Sequence, residues 1–497
     1  MNSPVHLGNF YNQPDKANHP ALIYHNQVVT YQELAIQIEK YAWYLTSLGI
    51  KPGDSVALSC YNTPEFIYSY FAVTKIGAIV VPLNLMLTLD EIQYILINAQ
   101  TKALIVHEKI VDKLKLNPEK LKLGLGLKEI IVLEDDTRRK INQVHPTLLP
   151  EIDPSQMSTL LYTSGTTGKP KGAMLTHTNL IENAKSCEVA LEGNGNDVFL
   201  CVLPMFHTFG FTVCVLLPLY VGSTIVIHEA FHPKEIIESI IKHKVTVFSG
   251  VPAMYVVLNQ AIRSGNLQFP SLRVAVSGGA PLPVEILKQF NEQYNIPLIE
   301  GYGLTEASPC VSFNPISGVK KPGSVGLPLL NIDVRIVNPN GEQLPLLEVG
   351  EILVKGPNVM NGYFYDLEET NQVLIDGWLH TGDMGYMDED GYLFIVDRKK
   401  ELIITRGLNV YPREIEEVIY TYPAVLETAV IGVPDPTRGE IVKAFIVPKE
   451  GTTIEKNELM EFLNKRLANY KLPRIVEFVD QLPKNAAGKI LKKQLKS

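Results

Sequence analysis

Short apolar runs of strand length alternate along this chain with stretches of helical spacing. Ser55-Val56-Ala57-Leu58-Ser59 precedes a helical pattern from about Glu65 to Ile76, and Ala78-Ile79-Val80-Val81 follows. Ala103 to Val106, Glu129 to Val132 and Arg273 to Val276 are further short apolar runs of this kind. Consecutive apolar positions suit strands buried on both faces, and their alternation with helices predicts parallel sheets covered by helices, an α/β architecture. From Asn331 to Val396 the pattern changes: Asn338-Pro339-Asn340-Gly341, Gly356-Pro357, Asp376-Gly377 and Asp390-Gly391 predict a β-rich region built on tight turns. Past the charged run Asp397 to Glu401, the spacing predicts a helix over 413–420, strands over 428–433 and 442–447, and a helix over 455–467. That is a compact α+β unit of about a hundred residues. The expected division is a large unit over 1–396, a hinge over 397–401 and a small unit over 402–497. A second charge run, Glu134 to Lys140, mixes signs after a strand and predicts a solvated loop.

Composition narrows the class. At 497 residues the chain is too long for one hydrophobic core. A net charge of −8 argues against a nucleic-acid binder, which needs a concentrated basic face. Cys60, Cys187, Cys201, Cys214 and Cys310 are odd in number, widely spread and never at metal-ligand spacing. They form no disulfide framework, and a reducing, cytosolic setting is expected. Met1 to Asn12 shows no basic region followed by an apolar stretch, so no signal peptide is expected. Val198 to Ile227 contains no Asp, Glu, Lys or Arg and is long enough to span a bilayer. Pro204, His207, Gly210, Pro218 and Gly222 interrupt it, so it predicts strand, loop, buried helix and strand rather than an integral membrane segment. Peripheral membrane contact stays open.

Four segments carry chemistry. Tyr162 to Gly172 holds three glycines, the hydroxyl residues Thr163, Ser164, Thr166 and Thr167, and Lys169 and Lys171 on either side of a proline. A backbone free to fold tightly, with hydroxyls and cations, is suited to surround a polyphosphate. It is not the P-loop in either register, because Pro170 falls on a required glycine or on the required hydroxyl. A flexible linker would share the Gly, Ser and Thr content but not the paired lysines. In Glu300-Gly301-Tyr302-Gly303-Leu304-Thr305-Glu306, glycines flank an aromatic able to stack on a purine, Thr305 offers a hydroxyl, and Glu306 is a hard oxygen ligand suited to Mg²⁺. Thr381-Gly382-Asp383 and Asp397-Arg398 supply a carboxylate for two hydroxyls and planar donors beside it. Pro483 to Leu491 contains Gly488-Lys489, a pair that near a C-terminus is ordinarily solvated surface.

Taken in order, these segments resemble the motifs of the adenylate-forming superfamily, which includes acyl-CoA synthetases, luciferases and peptide-synthetase adenylation domains. Thr30-Tyr31-Gln32-Glu33-Leu34 is also family-like, so the resemblance covers nearly the whole chain. It implies a phosphate loop at Thr163, Ser164, Gly165, Thr166, Thr167 and Gly168, and an adenine border at Gly279 and Ala280 within Ser277 to Leu282. It implies further nucleotide contacts at Glu300, Gly301, Tyr302 and Gly303, and a ribose site at Asp383 and Arg398. Thr305, Glu306, His207, Lys171 and Lys489 are the implied catalytic set, with Glu306 as the metal ligand. Lys489 falls at the position of the lysine that reaches the adenylation site from a small, mobile C-terminal domain, and Lys400 at the hinge position. An anionic carboxylate must approach the α-phosphate of an anionic triphosphate, and Mg²⁺, Lys171 and Lys489 would offset the repulsion. Arg406 and Gly407 fall in the channel for CoA, where many relatives carry paired glycines, so Arg406 is a departure.

The resemblance implies an ATP-dependent acid–CoA ligase that forms an acyl-adenylate, releases pyrophosphate, and passes the acyl group to CoA. Amino-acid-activating relatives carry an Asp near the position of His207 to hold the substrate ammonium, and this chain does not. Leu203 to Gly210 looks most like fatty-acyl-CoA ligases, which implies a medium- or long-chain fatty acid, with Phe211 to Leu219 either lining the acyl pocket or forming core. The alternatives are an aryl-acid ligase of the 4-coumarate or benzoate kind, a standalone ligase that loads a carrier protein, and a non-catalytic nucleotide-binding protein. Small-molecule acid, ATP and CoA are the expected partners; oligomeric state stays open, a homodimer included.

Overall fold

In a computed structural model of the chain, residues 5–115, 117–164, 170–261, 268–485 and 488–496 are described. Two mainly parallel sheets make up the first part, as the apolar runs predict. One has nine strands, with six parallel strands at its centre: Leu298–Gly303, Val274–Ser277, Val247–Gly250, Val198–Cys201, Thr224–Ile227 and Pro20–Tyr24, in that spatial order. The other has six, with Glu129–Leu133, Thr101–His107, Ser55–Ser59, Ile79–Pro82 and Met157–Ser164 parallel and Pro170–Thr176 antiparallel at the edge. On the central strands the side chains are buried on both faces, those of Val56, Ala57, Leu58, Val274, Ala275 and Val276 completely. Thr30 caps the helix Tyr31–Ser47 with a reciprocal bond to Glu33, which gives the family-like Thr30 to Leu34 stretch a local structural role.

The turn-rich stretch forms an antiparallel sheet of five strands, Asp333–Val337, Gly350–Lys355, Leu374–Ile375, Trp378–Met387 and Leu393–Arg398. Asp376 and Gly377, both at positive φ, make the two-residue hairpin that their sequence predicts. A fourth sheet holds Ile403–Thr405, Leu408–Val410, Val425–Asp435, Gly439–Pro448 and Ile475–Phe478, with the helices Pro412–Tyr420 and Lys456–Asn464. Among the described residues it pairs with no strand before residue 399 and has a core of its own, centred on Ile403, Ile415, Ile419, Val430 and Leu459. The short 3₁₀ turn Lys399–Glu401 joins it to the rest.

Glu134 to Lys140 is not a loop: Asp135–Gln143 is a helix. Arg138 anchors it by pairing with Glu65 at 2.8 Å and Glu108 at 3.1 Å, and Ile141 is buried beneath it. The uncharged stretch forms strand, loop, buried helical segment and strand, and Phe211, Val213, Val215, Leu216, Leu217 and Leu219 belong to the main hydrophobic core. Among the described residues no helix is long and apolar enough to cross a membrane.

Candidate active site

Parallel strands direct the loops after their carboxyl ends to one edge of a sheet, where α/β folds form their crevices. In the nine-stranded sheet three such loops carry predicted site residues. His207 follows Val198–Cys201, Gly279 and Ala280 follow Val274–Ser277, and Thr305 and Glu306 follow Leu298–Gly303. Glycine is required at 303 because a Cβ there would collide with the Pro309 carbonyl. The close approach at Gly303 is therefore to this chain's own Pro309 backbone rather than to a ligand.

Gly279, Ala280, Glu300, Gly301, Tyr302, Gly303, Asp383, Arg398 and Lys489 all line one cleft between the β-sheet edge and the unit after residue 402. Asp383 and Arg398 are register partners on adjacent strands, and the Arg398 Nε lies 3.3 Å from the Asp383 Oδ1. Tyr302 donates its hydroxyl to the other carboxylate oxygen of Asp383 at 2.7 Å, so the Asp is oriented from two sides. Lys489 forms no ion pair among the described residues; burial, reinforced by the Arg398 charge, lowers its ammonium to about 8. The same ammonium, after burial, helps lower the His207 imidazole to about 4, which leaves that ring neutral at pH 7. His207 Nδ1 accepts the Phe209 N–H at 3.3 Å, so the proton of the neutral ring sits on Nε2 as a donor.

The other predicted residues that are described do not line this cleft. Thr305 Oγ1 lies 3.4 Å from Thr208 Oγ1. Glu306 Oε1 accepts the Tyr363 hydroxyl at 2.9 Å. Lys171 lies 2.5 Å from Glu369 and over the Tyr363 ring, so its charge is met inside the protein. Thr163 pairs with Lys171 and Ser164 with Pro170 across an antiparallel ladder, which brings the ends of the expected phosphate loop together. Gly165, Thr166, Thr167 and Gly168 lie outside the described residues. Lys400 is in the 3₁₀ turn. Arg406 and Gly407 do not line the cleft: both have positive φ at the tip of the hairpin Ile403–Thr405 to Leu408–Val410. That conformation explains why glycine suits both positions and makes Arg the costlier residue at the first of them.

Further buried charges complete the arrangement. Glu300 is 2 % exposed, and burial pushes its carboxyl up to about 7 against the Arg413 charge and the N–H of Leu282 at 3.0 Å. Burial likewise lifts Asp397 to about 6 although it accepts the backbone N–H groups of Arg398 and Arg413. Lys492 pairs with Glu416 at 2.7 Å behind Lys489. Tyr363, Glu369 and Arg413 carried no signal in sequence because their partners are distant in the chain.

Residues 11–364 match the model of the AMP-binding enzyme family, and residues 414–489 match the AMP-binding enzyme C-terminal domain. The chain is 38% identical to the long-chain-fatty-acid–CoA ligase of Bacillus subtilis, over 97% of this chain and 91% of that protein. It is equally, 38%, identical to a feruloyl-CoA synthase of Amycolatopsis sp., over 94% of this chain and 93% of that protein. The crystal structure of ATP-bound MatB from Rhodopseudomonas palustris superposes with a TM-score of 0.92 at 32% identity, covering 99% of this chain and 98% of that one. Apo MatB from the same organism gives 0.83 over the same shares. The chain belongs to the AMP-binding, adenylate-forming enzyme family, in its acid–CoA ligase branch.

Proposed function

We propose that this enzyme activates a medium- or long-chain fatty acid as its acyl-adenylate and then forms the acyl-CoA thioester. One observation carries the two-step reading. Lys489, from the segment after residue 402, shares a cleft with the paired Asp383 and Arg398 and the loop of Gly279 and Ala280. In the first step the acid carboxylate attacks the α-phosphate of ATP and pyrophosphate leaves. The Lys489 ammonium offsets the charge that accumulates on the phosphoryl oxygens. Asp383, held by Tyr302 and Arg398, takes the ribose hydroxyls, and His207 Nε2–H is a neutral donor for the acid. In the second step the CoA thiolate, its proton already given to solvent, attacks the acyl carbonyl and AMP leaves with the bonding electrons. Lys489 has no part in that step, so the small unit over 402–497 turns about Lys400 and presents the hairpin of Arg406 and Gly407 to CoA. The higher superposition on ATP-bound than on apo MatB supports reading the present arrangement as that of the first step.

Mg²⁺ arrives with ATP, and Glu306 is the carboxylate that suits it. Tyr363 occupies only its Oε1, and a magnesium ion that keeps waters and phosphates needs just one or two protein carboxylates. When bound, the ion offsets phosphate charge. Glu306→Gln keeps the Tyr363 bond and removes the negative charge. It should shift the Mg²⁺ concentration needed for pyrophosphate release upward while the Tm stays nearly constant. A large fall in Tm with unaltered metal dependence would assign Glu306 to structure.

The acid is decided by a pyrophosphate-release panel of short to long fatty acids, cinnamic and benzoic acids and amino acids, each with and without CoA. Activity is expected to climb from short to longer fatty acids, since each buried CH₂ contributes about 0.8 kcal/mol. The equal identity to the feruloyl-CoA synthase keeps an aryl acid as the second reading. Preference for a cinnamic or benzoic acid over any fatty acid would establish it, and preference for acetate or an amino acid would overturn both.

A further inference from the structure

Arg413 is an arginine at the start of a surface-patterned helix, Pro412–Tyr420, yet it is 8 % exposed. Its backbone N–H donates to Asp397 at 3.0 Å, and its Nη1 donates to the Ile395 carbonyl at 2.9 Å. Its Nη2 lies 3.7 Å from Glu300, on the strand that ends in the Gly301 to Glu306 loop. Glu417, one turn further along the same helix, lies 3.8 Å from the Arg413 Nε. It also accepts, at 3.3 Å, the N–H of Val284, the first residue of the helix Val284–Tyr294. Four of these contacts thus reach from the unit after residue 402 to residues before it, and all flank the cleft that Lys489 enters. We propose that Arg413, seconded by Glu417, is a positioning residue that clasps the small unit onto the Glu300 strand and so fixes Lys489 in the cleft for the first half-reaction.

The physical reason lies in what a buried charge demands. A guanidinium out of water must find acceptors, and here most of them belong to the other side of the joint. Any turn of the small unit about residues 399–401 that draws the helix Pro412–Tyr420 away separates Arg413 from Glu300 and Glu417 from Val284. The clasp therefore selects one orientation instead of strengthening both. Lys cannot replace the fork, since its donors radiate from a single nitrogen whereas Ile395, Glu300 and Glu417 are met by three separate nitrogens of the guanidinium.

The inference rests on the assignment of Lys489 to the adenylation step, so the test includes Lys489→Ala beside Arg413→Gln, Arg413→Lys and Glu417→Gln. Adenylation is read as pyrophosphate release with dodecanoic acid or ferulic acid. The thioester step is read from the matching synthetic acyl-adenylate and CoA. The orientation is read without any acid, by energy transfer between dyes at Leu148→Cys and Leu408→Cys, exposed positions in a chain whose own cysteines are all buried. Arg413→Gln should slow adenylation toward the roughly 10²-fold that a misplacement of about 1 Å costs, and spare the thioester step. Arg413→Lys should fall between it and the parent, and the dye distance should broaden in the same order. Glu417→Gln gives the smaller effect of the same sign and decides the matter if Arg413→Gln does not fold. Equal losses in both half-reactions, or unchanged dye distances in Arg413→Gln and Glu417→Gln, would overturn the clasp. If Lys489→Ala itself slows both steps alike, the assignment of Lys489 fails instead.

Discussion

Lys489→Ala should lower the rate of acyl-adenylate formation by about 10²–10³-fold, the loss that follows removal of one charge-stabilising contact in a transition state. It should leave conversion of supplied acyl-adenylate to acyl-CoA nearly untouched. The same substitution should raise the Tm slightly at pH 7. Below about 8 the buried ammonium is charged in the folded protein without an ion-pair partner among the described residues, and that cost to the fold is present in full there and fades as pH rises from about 8 to 10.5, the ordinary lysine value. Activity and stability therefore move in opposite directions, which a structural lysine would not do. The pH profile gives an independent check. In the free enzyme, kcat/KM for adenylation should fall as pH rises through about 8, as the ammonium is lost. His207, neutral above about 4, cannot produce that limb. Glu300, at about 7, titrates on the acid side, where its protonation removes the charge opposite Arg413. Lys489→Arg, which stays protonated at every accessible pH, should abolish the alkaline limb at reduced rate. An unchanged limb in that variant would remove Lys489 from the assignment.

What the sequence could reveal depended on whether a residue's role was local. Buried parallel strands announce themselves as apolar runs, and Asp376-Gly377 as a hairpin, because strand burial and turn conformation act on neighbouring residues. The helix Asp135–Gln143 was not legible: its charges look solvated until Arg138 finds Glu65 and Glu108, carried by other elements. The site divides along the same line. Asp383, Arg398 and Lys489 stand in recognisable motifs and meet in one cleft, but Arg413 reads as an ordinary helix charge because Glu300 lies on a strand in another sheet. Lys171 was legible as a cation beside a phosphate loop; that Glu369 meets its charge was not. Phe211 to Leu219 illustrates a limit of composition, since core and acyl pocket require the same apolar side chains, and only packing assigns these to the core.

Proline at position 400 should separate the two half-reactions from the opposite side. Lys400 is the second residue of the 3₁₀ turn Lys399–Glu401, where φ near −60° is usual and the first N–H groups have no partner within the turn. Proline fixes φ at about −65° and removes that N–H, so the present turn accepts it at the modest cost of constraining Lys399. A second orientation of the small unit, reached by changing the backbone here, would require a different φ or ψ at this joint, and proline denies the first of these. Lys400→Pro is therefore expected to fold with a near-parental Tm, to retain most adenylate formation, and to form thioester from supplied acyl-adenylate at least about tenfold more slowly, a barrier increase near 1.4 kcal/mol. Lys400→Ala, which leaves the backbone free, should be mild in both steps and so isolates the backbone from the lost ammonium. A passive linker residue would give a different pattern, with both half-reactions unchanged or both lost through misfolding. Parental rates in both half-reactions for Lys400→Pro would move the pivot elsewhere in the segment 397–401.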